Sequence, residues 1–293
     1  MDYSMDYLAR MLSYKEFYEA IKEFAFPYAI IKGEVLSVLA YGTEGKRNSK
    51  DIDILISREH LDAAKKILRA KGFKEITINK FDRAFLLNSS HQAPTYFKKT
   101  KICYIFIDVN FDVFWGEYEG KRINISEFLF DTKKMPVYGC YIHTLSPIKS
   151  LIALALHHYK DMNSLFLLAT KNTIRYDMFE DIYYLIKNNS NEITSDELRY
   201  LCDGYNITQY IYYILYFTSV LFPDCFWDEY IKNLKTEEGL FLLDKYGLRS
   251  DEQKIWKCSF EDRLNADNLF EFIRNDLSEK DKQKIAYNKQ IFG

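Results

Sequence analysis

The chain is 293 residues long and 48% apolar, enough to bury a sizeable core without disulfide or metal staples. Forty basic side chains against 42 acidic ones leave a net charge of −2, which excludes a global electrostatic pull toward nucleic acid or an anionic membrane, though not a local basic patch. The five cysteines (Cys103, Cys140, Cys202, Cys225, Cys258) include no C-x-x-C pair, and neither a signal-peptide run in residues 1–10 nor an apolar run of membrane-spanning length is present, so a reduced, cytoplasmic chain is expected.

Residues 5–24 set Met5, Leu8, Met11, Leu12, Phe17, Tyr18, Ile21 and Phe24 at mostly three- and four-residue spacing, which predicts an amphipathic helix closed by Pro27. From there to about residue 143, short β-rich runs alternate with helical stretches. Strands are predicted over 28–32, 51–57, 73–78, 84–88, 102–114 and near 138–144, with helices over 34–40 and 59–71. After Pro147 the pattern turns helical, most clearly over 148–159, 177–187, 195–202 and 208–221, and Thr194 or Ser195 ahead of Asp196 and Glu197 supplies a helix start. The expectation is an α+β fold: a mixed sheet with flanking helices over residues 1–145, then a mostly helical domain over 146–293.

The chemistry concentrates in Asp51-Ile52-Asp53. On a strand, residues i and i+2 face the same way, so both carboxylates project together about 7 Å apart. Like charges that close call for a cation between them, and a hard divalent ion with oxygen ligands suits the pair. Alone, such a pair is common and more often only a solvated strand edge. Three further features sharpen it. The strand before it ends in Lys32-Gly33 and opens a short helix, where glycine lets backbone approach a phosphate and helix N–H groups favour anions. The following loop carries Gly42, Gly45, Lys46, Arg47, Ser49 and Lys50. A later strand supplies a third carboxylate, Asp108, although Asp112 lies four residues on and therefore on the same face.

Lys32-Gly33, Arg47, Asp51-Ile52-Asp53 and Asp108 together resemble the nucleotidyltransferase family of the DNA polymerase β-like superfamily, closest to a bacterial branch of the form Lys-Gly, Arg, Asp-Ile-Asp. The resemblance extends more weakly through Leu145-Ser146-Pro147, His157, Lys160 and the run from Asp181 to Ile186. Two departures stand out. That branch often carries His two residues after the third carboxylate, where this chain has Asn110, and the superfamily's Gly-Ser pair is Gly33-Glu34 here. Lys32 or loop backbone must then do the work of the missing hydroxyl. Gly42-Thr43-Glu44-Gly45-Lys46-Arg47 is two residues too short between its glycines for a P-loop and ends in Arg where Ser or Thr must bind metal.

What the resemblance implies is a nucleotidyltransferase-type sheet and an enzyme that moves a nucleoside monophosphate from an NTP to a hydroxyl acceptor, releasing pyrophosphate. Two Mg²⁺ ions, or Mn²⁺ in their stead, would be held by Asp51, Asp53 and Asp108. Asp108 would assist deprotonation of the acceptor, while Lys32, Gly33, Arg47, His157 and Lys160 would bind the nucleotide. Near-neutral charge favours a small-molecule acceptor. RNA or protein modification of the toxin or antitoxin type, and a nucleotide-binding module without turnover, are the alternatives. His157 is set in an apolar helical run, where a lone His more often belongs to the core or its rim than to a ligand, and Lys160 reads no differently.

Overall fold

The computed structural model describes residues 5–47, 49, 51–77, 80, 82, 87, 90–114, 121–171 and 173–292. They form two compact units, one built from residues 5–114, 121–153 and 188–192 and the other from 154–187 and 193–292. The division falls inside a single helix, Pro147–Asn163, between Ala153 and Leu154.

The first unit opens with helix α1 (Met5–Ile21), strand β1 (Tyr28–Ile30), helix α2 (Glu34–Tyr41) and strand β2 (Asp51–Ile56). Helix α3 (Leu61–Ala70), strands β3 (Lys74–Glu75), β4 (Tyr96–Lys99) and β5 (Tyr104–Asn110), the short helix α4 (Ile125–Phe128), and strands β6 (Lys133–Val137) and β7 (Cys140–Thr144) follow. The seven strands form one sheet in the order β3-β4-β5-β2-β1-β7-β6. It is mixed: β2 runs parallel to β5 and β1 to β7, while the other neighbours are antiparallel.

Alternation along the central strands decides which face is which. Ile52, Ile54 and Ile56 of β2, with Ile105, Ile107 and Val109 of β5, enter a buried cluster with Tyr14, Phe17 and Ile21 of α1 and Ala64 and Leu68 of α3. Each large apolar side chain in it stabilises the fold by roughly 1.5–3 kcal/mol when fully buried. That commitment turns the intervening residues, the aspartates among them, to the opposite face.

The peripheral strands differ from expectation. Neither β4, which carries Lys98 and Lys99, nor β6, with Lys133, Lys134 and Pro136, was anticipated. As a sheet edge, β6 tolerates both its charges and its proline. It joins β7 through Tyr138 and Gly139, whose φ angles of 48° and 76° between the paired Val137 and Cys140 are those of a two-residue type I′ hairpin turn. The strand expected near 138–144 therefore starts at Cys140. The one expected over 73–78 pairs only at Lys74–Glu75 and ends outside the described residues, and that over 84–88 lies outside them except for Leu87.

The second unit contains the end of α5 (Pro147–Asn163), then α6 (Leu165–Thr170), α7 (Tyr176–Asn188), α8 (Ser195–Gly204), α9 (Thr208–Leu221) and α10 (Trp227–Leu234). Helices α11 (Glu237–Leu242), α12 (Phe260–Leu264), α13 (Phe270–Ile273) and α14 (Glu279–Phe292) complete it, with a small ribbon of β8 (Lys245–Tyr246) and β9 (Lys254–Ile255) that the sequence did not suggest. Thr194 is the N-cap of α8, its side chain accepting from the Glu197 N–H. Aromatic contacts fill the interior, including Tyr159 against Tyr213 at 5.1 Å and Phe217 stacked on Phe260 at 4.2 Å between centroids. Among the described residues no helix is long and apolar enough to cross a membrane.

Candidate active site

The parallel register of β2 and β5 sets Asp53 opposite Asp108 and Asp51 opposite Phe106. Because the alternate residues point into the core, Asp51, Asp53 and Asp108 share the other face. Strand β4 extends the pattern, with Phe97 opposite Phe106. Two rows therefore cross the sheet: Thr95, Asp108 and Asp53 in one, and Phe97, Phe106 and Asp51 in the next.

Each carboxylate has a fixed partner. The Thr95 hydroxyl donates to Asp108 Oδ1 at 2.6 Å. Asp53, only 7% exposed, receives Lys32 Nζ at 3.3 Å and Asn110 Nδ2 at 3.2 Å, both on Oδ1. Ser49 donates to the backbone oxygen of Asp51 at 2.8 Å, with Asp51 Oδ1 at 3.1 Å. Burial pushes the Asp108 carboxyl up to about 6; the Thr95 hydrogen bond and Lys32 oppose the rise, and the charges of Asp53 and Asp51 add to it. Burial, and then the neighbouring Asp53, also raise Asp51. The three side chains thus feel one another's charge, and one ammonium group does not cancel three carboxylates.

Among the described residues no group of three His, Cys, Asp or Glu side chains stands in metal-binding geometry. Three carboxylates with uncompensated negative charge, and neither His nor Cys beside them, match a hard ion such as Mg²⁺ or Mn²⁺ and not zinc.

Gly33 precedes α2 with φ 65° and ψ −128°, and a Cβ there would come within 3.2 Å of Ser49 Oγ and 3.4 Å of the Tyr14 hydroxyl. The left-handed φ favours glycine, and a Cβ here would also press on both neighbours. The Glu34 carboxylate that follows is 1% exposed and turns inward. Its Oε2 accepts the Gly45 N–H at 2.6 Å, and its Oε1 lies 3.5 Å from Arg10 Nη1. Arg10 also donates to the Arg47 carbonyl at 3.0 Å, while Ser37 Oγ donates to the Thr43 carbonyl at 2.8 Å and accepts the Lys46 N–H at 3.0 Å. The glycine-containing loop is thereby folded back on α2, and the half-buried Arg47 is held by its own backbone. Lys50 lies outside the described residues.

Asp112 falls beyond the end of β5. Its Oδ1 accepts the Phe114 N–H at 2.9 Å and its Oδ2 lies 3.2 Å from Arg122 Nε. The geometry therefore brings Asp108, and not Asp112, to Asp51 and Asp53. His157 and Lys160 belong to the second unit, where Lys160 Nζ is 3.2 Å from His157 Nδ1; Asp161 lies 3.1 Å from Lys160 and 3.3 Å from His157. Thr95, Arg10 and Asp161 went unpredicted, and Glu34 and Asn110 were noted only as departures. The contacts of Thr95, Asn110, Glu34 and Arg10 depend on strand register or on the path of a loop, which no local motif marks, whereas Asp161 lies one helical turn from His157, a spacing the sequence does carry.

Residues 7–223 match the family described as "Uncharacterised nucleotidyltransferase". Among solved structures, the chain is similar to ANT(2")-Ia in complex with adenylyl-2"-tobramycin at a TM-score of 0.39 and 11% identity, over 68% of this chain and 97% of that one. It is also similar to an antigenic nucleotidyltransferase-like protein from Paracoccidioides brasiliensis at a TM-score of 0.45 and 14% identity, over 78% of this chain and 92% of that one. No curated protein matches the chain.

Proposed function

Since the chain belongs to the uncharacterised nucleotidyltransferase family, which it matches over residues 7–223, we propose that it transfers a nucleoside monophosphate from an NTP to a hydroxyl of a small-molecule acceptor, releasing pyrophosphate. The observation that carries this reading is the register of Asp53 with Asp108, with Asp51 on the same face. In it, Asp51, Asp53 and Asp108 are the residues that would hold two Mg²⁺ ions, or Mn²⁺, and such ions would supply positive charge to the triphosphate and to the departing pyrophosphate. Asp108 accepts the proton of the acceptor hydroxyl as that oxygen attacks the α-phosphorus and the bond to the β-phosphate breaks. Thr95 orients Asp108, and Asn110 and Lys32 hold Asp53. Gly33 admits phosphate to the start of α2, Lys32 and Arg47 supply positive charge, and His157 and Lys160 keep the nucleotide-binding role that the family resemblance implies. Scattered free cysteines fit a cytoplasmic setting.

The test is pyrophosphate release with each NTP, Mg²⁺ and a panel of hydroxyl acceptors. Asp53→Asn should abolish release while leaving the circular dichroism spectrum unchanged, and wild-type turnover in that variant would refute the assignment. Tight Mg²⁺·NTP binding with no release from any acceptor would favour a binding module instead.

A further inference from the structure

The face that carries the carboxylates does not end with them. Along β5, Tyr104 and Phe106 point to the same side as Asp108, because Ile105, Ile107 and Val109 are committed to the core. Strand β4 adds Phe97 directly opposite Phe106, and Lys99 opposite Tyr104. Its alternate residues turn the other way, Tyr96 into the core and Lys98 to Glu16 of α1 at 2.7 Å. Tyr104 and Phe106 stack at 6.3 Å between centroids with ring planes 17° apart. Tyr104 is 52% exposed, and Phe97 and Phe106 are half-buried. Lys99 Nζ stands 5.5 Å from the centre of the Tyr104 ring.

From this arrangement, and resting on the function proposed above, we infer that Phe106, Tyr104 and Phe97 form the acceptor subsite, and that the acceptor is a small nucleotide whose base lies on these rings while its ribose hydroxyl reaches Asp108. Three features select that chemistry. The platform begins beside the carboxylate assigned to the acceptor, since Phe106 is two residues before Asp108 on one strand face, a spacing of about 7 Å that a ribose spans between its hydroxyl and its base. Parallel rings accept a flat π-system, and a nucleobase supplies one. The ammonium at the outer edge favours an acceptor that carries a phosphate. A net charge of −2 gives no field for a polyanion, which favours a free nucleotide over an RNA end.

The experiment uses the full chain with Mg²⁺ and a saturating non-hydrolysable ATP analogue, and measures the binding of three probes by calorimetry: AMP, ribose 5-phosphate and a short oligoadenylate. AMP should bind the analogue-loaded protein, and ribose 5-phosphate should bind at least tenfold more weakly. Phe106→Leu and Tyr104→Leu keep apolar bulk but remove the ring, and each should weaken AMP by about fivefold or more, the lower end of a single base–ring stack. Affinity for the analogue should not change in either variant. The exposed position of Tyr104 keeps the test alive if Phe106→Leu does not fold. Equal binding of AMP and ribose 5-phosphate, or variants with unchanged AMP affinity, would overturn the platform. Tighter binding of the oligoadenylate than of AMP would overturn the choice of a small nucleotide. Failure of the analogue itself to bind would instead strike the proposed function, so the two failures are distinguishable.

Discussion

Asp112 is a buried carboxylate whose ionisation is governed by burial, with the Phe114 N–H and Arg122 only partly offsetting it, and its carboxyl is pushed up to about 6. A carboxyl raised in the folded state contributes stability that is fully present below its ordinary value and lost as pH rises through about 6. Asp112→Asn keeps an acceptor for the Phe114 N–H and removes that loss, so it should stabilise the protein at neutral pH by up to about 3 kcal/mol. Melting curves across pH 5–8 check this: the wild type should lose stability with rising pH more steeply than the variant, and parallel profiles would contradict it. Glu34 is buried more deeply still, held between Arg10 and the Gly45 N–H. Glu34→Ala strands Arg10 and the Gly45 N–H, and should cost about 3 kcal/mol and raise the KM for NTP, whereas Glu34→Gln, which can still accept from Gly45, should do less of both. Thermal melts and steady-state kinetics separate the two variants. The sequence showed Glu34 only as a departure from Gly-Ser, since an inward-turned side chain depends on a loop path that no local pattern encodes. The shared face of Asp51 and Asp53 was legible, because the two-residue period of a strand is local.

The elements divide in the same way. Strands β2 and β5 were readable from runs of Ile and Val, and α8 from Thr194 ahead of its acidic first turn. Strands β4 and β6 were not: the lysines and proline of β6 suit a protected sheet edge or a loop alike until the neighbour is known, and in β4, which lies between β3 and β5, Lys98 and Lys99 break the apolar run after Tyr96 and Phe97. The Tyr138-Gly139 turn was read as strand for a related reason: Tyr138 resembles a strand residue, yet it adopts φ 48° while its ring packs edge-on against Tyr7 at 5.1 Å and against Tyr14 at 5.6 Å. Turn glycines are not equivalent. A Cβ on Gly139 meets nothing within 4 Å, so Gly139→Ala should cost only the left-handed penalty of about 1 kcal/mol. A Cβ on Gly247, at φ 99°, would overlap the Glu252 carbonyl, so Gly247→Ala should cost clearly more. Denaturant titration of both variants tests the order, and equal losses would show that the β8–β9 ribbon can shift to make room.

At the scale of the whole molecule, a sheet-bearing first part and a helical second part were legible from the change of period after Pro147. The point along α5 at which contacts change from one unit to the other has no local signature, since a helix repeats the same pattern whichever neighbours it meets. Saturating Mg²⁺ and a non-hydrolysable NTP should raise the melting temperature by a few degrees, as roughly 2.7 kcal/mol of linkage at a hundredfold excess over Kd requires, and Asp53→Asn should lose that shift. The central pairing has a cost of its own. Asp53 and Asp108 are 55 residues apart in the chain and directly opposed across β2 and β5, so the sheet closes a long loop against a pair of like charges. Under the proposed function, turnover and robustness would pull in opposite directions at this register position, and Asp108→Asn, expected to be inactive, should withstand more denaturant than the wild type in chelator. A lower midpoint for that variant would mean that Thr95 and Lys32 already absorb the repulsion, and that natural selection obtained these aspartates at no thermodynamic disadvantage.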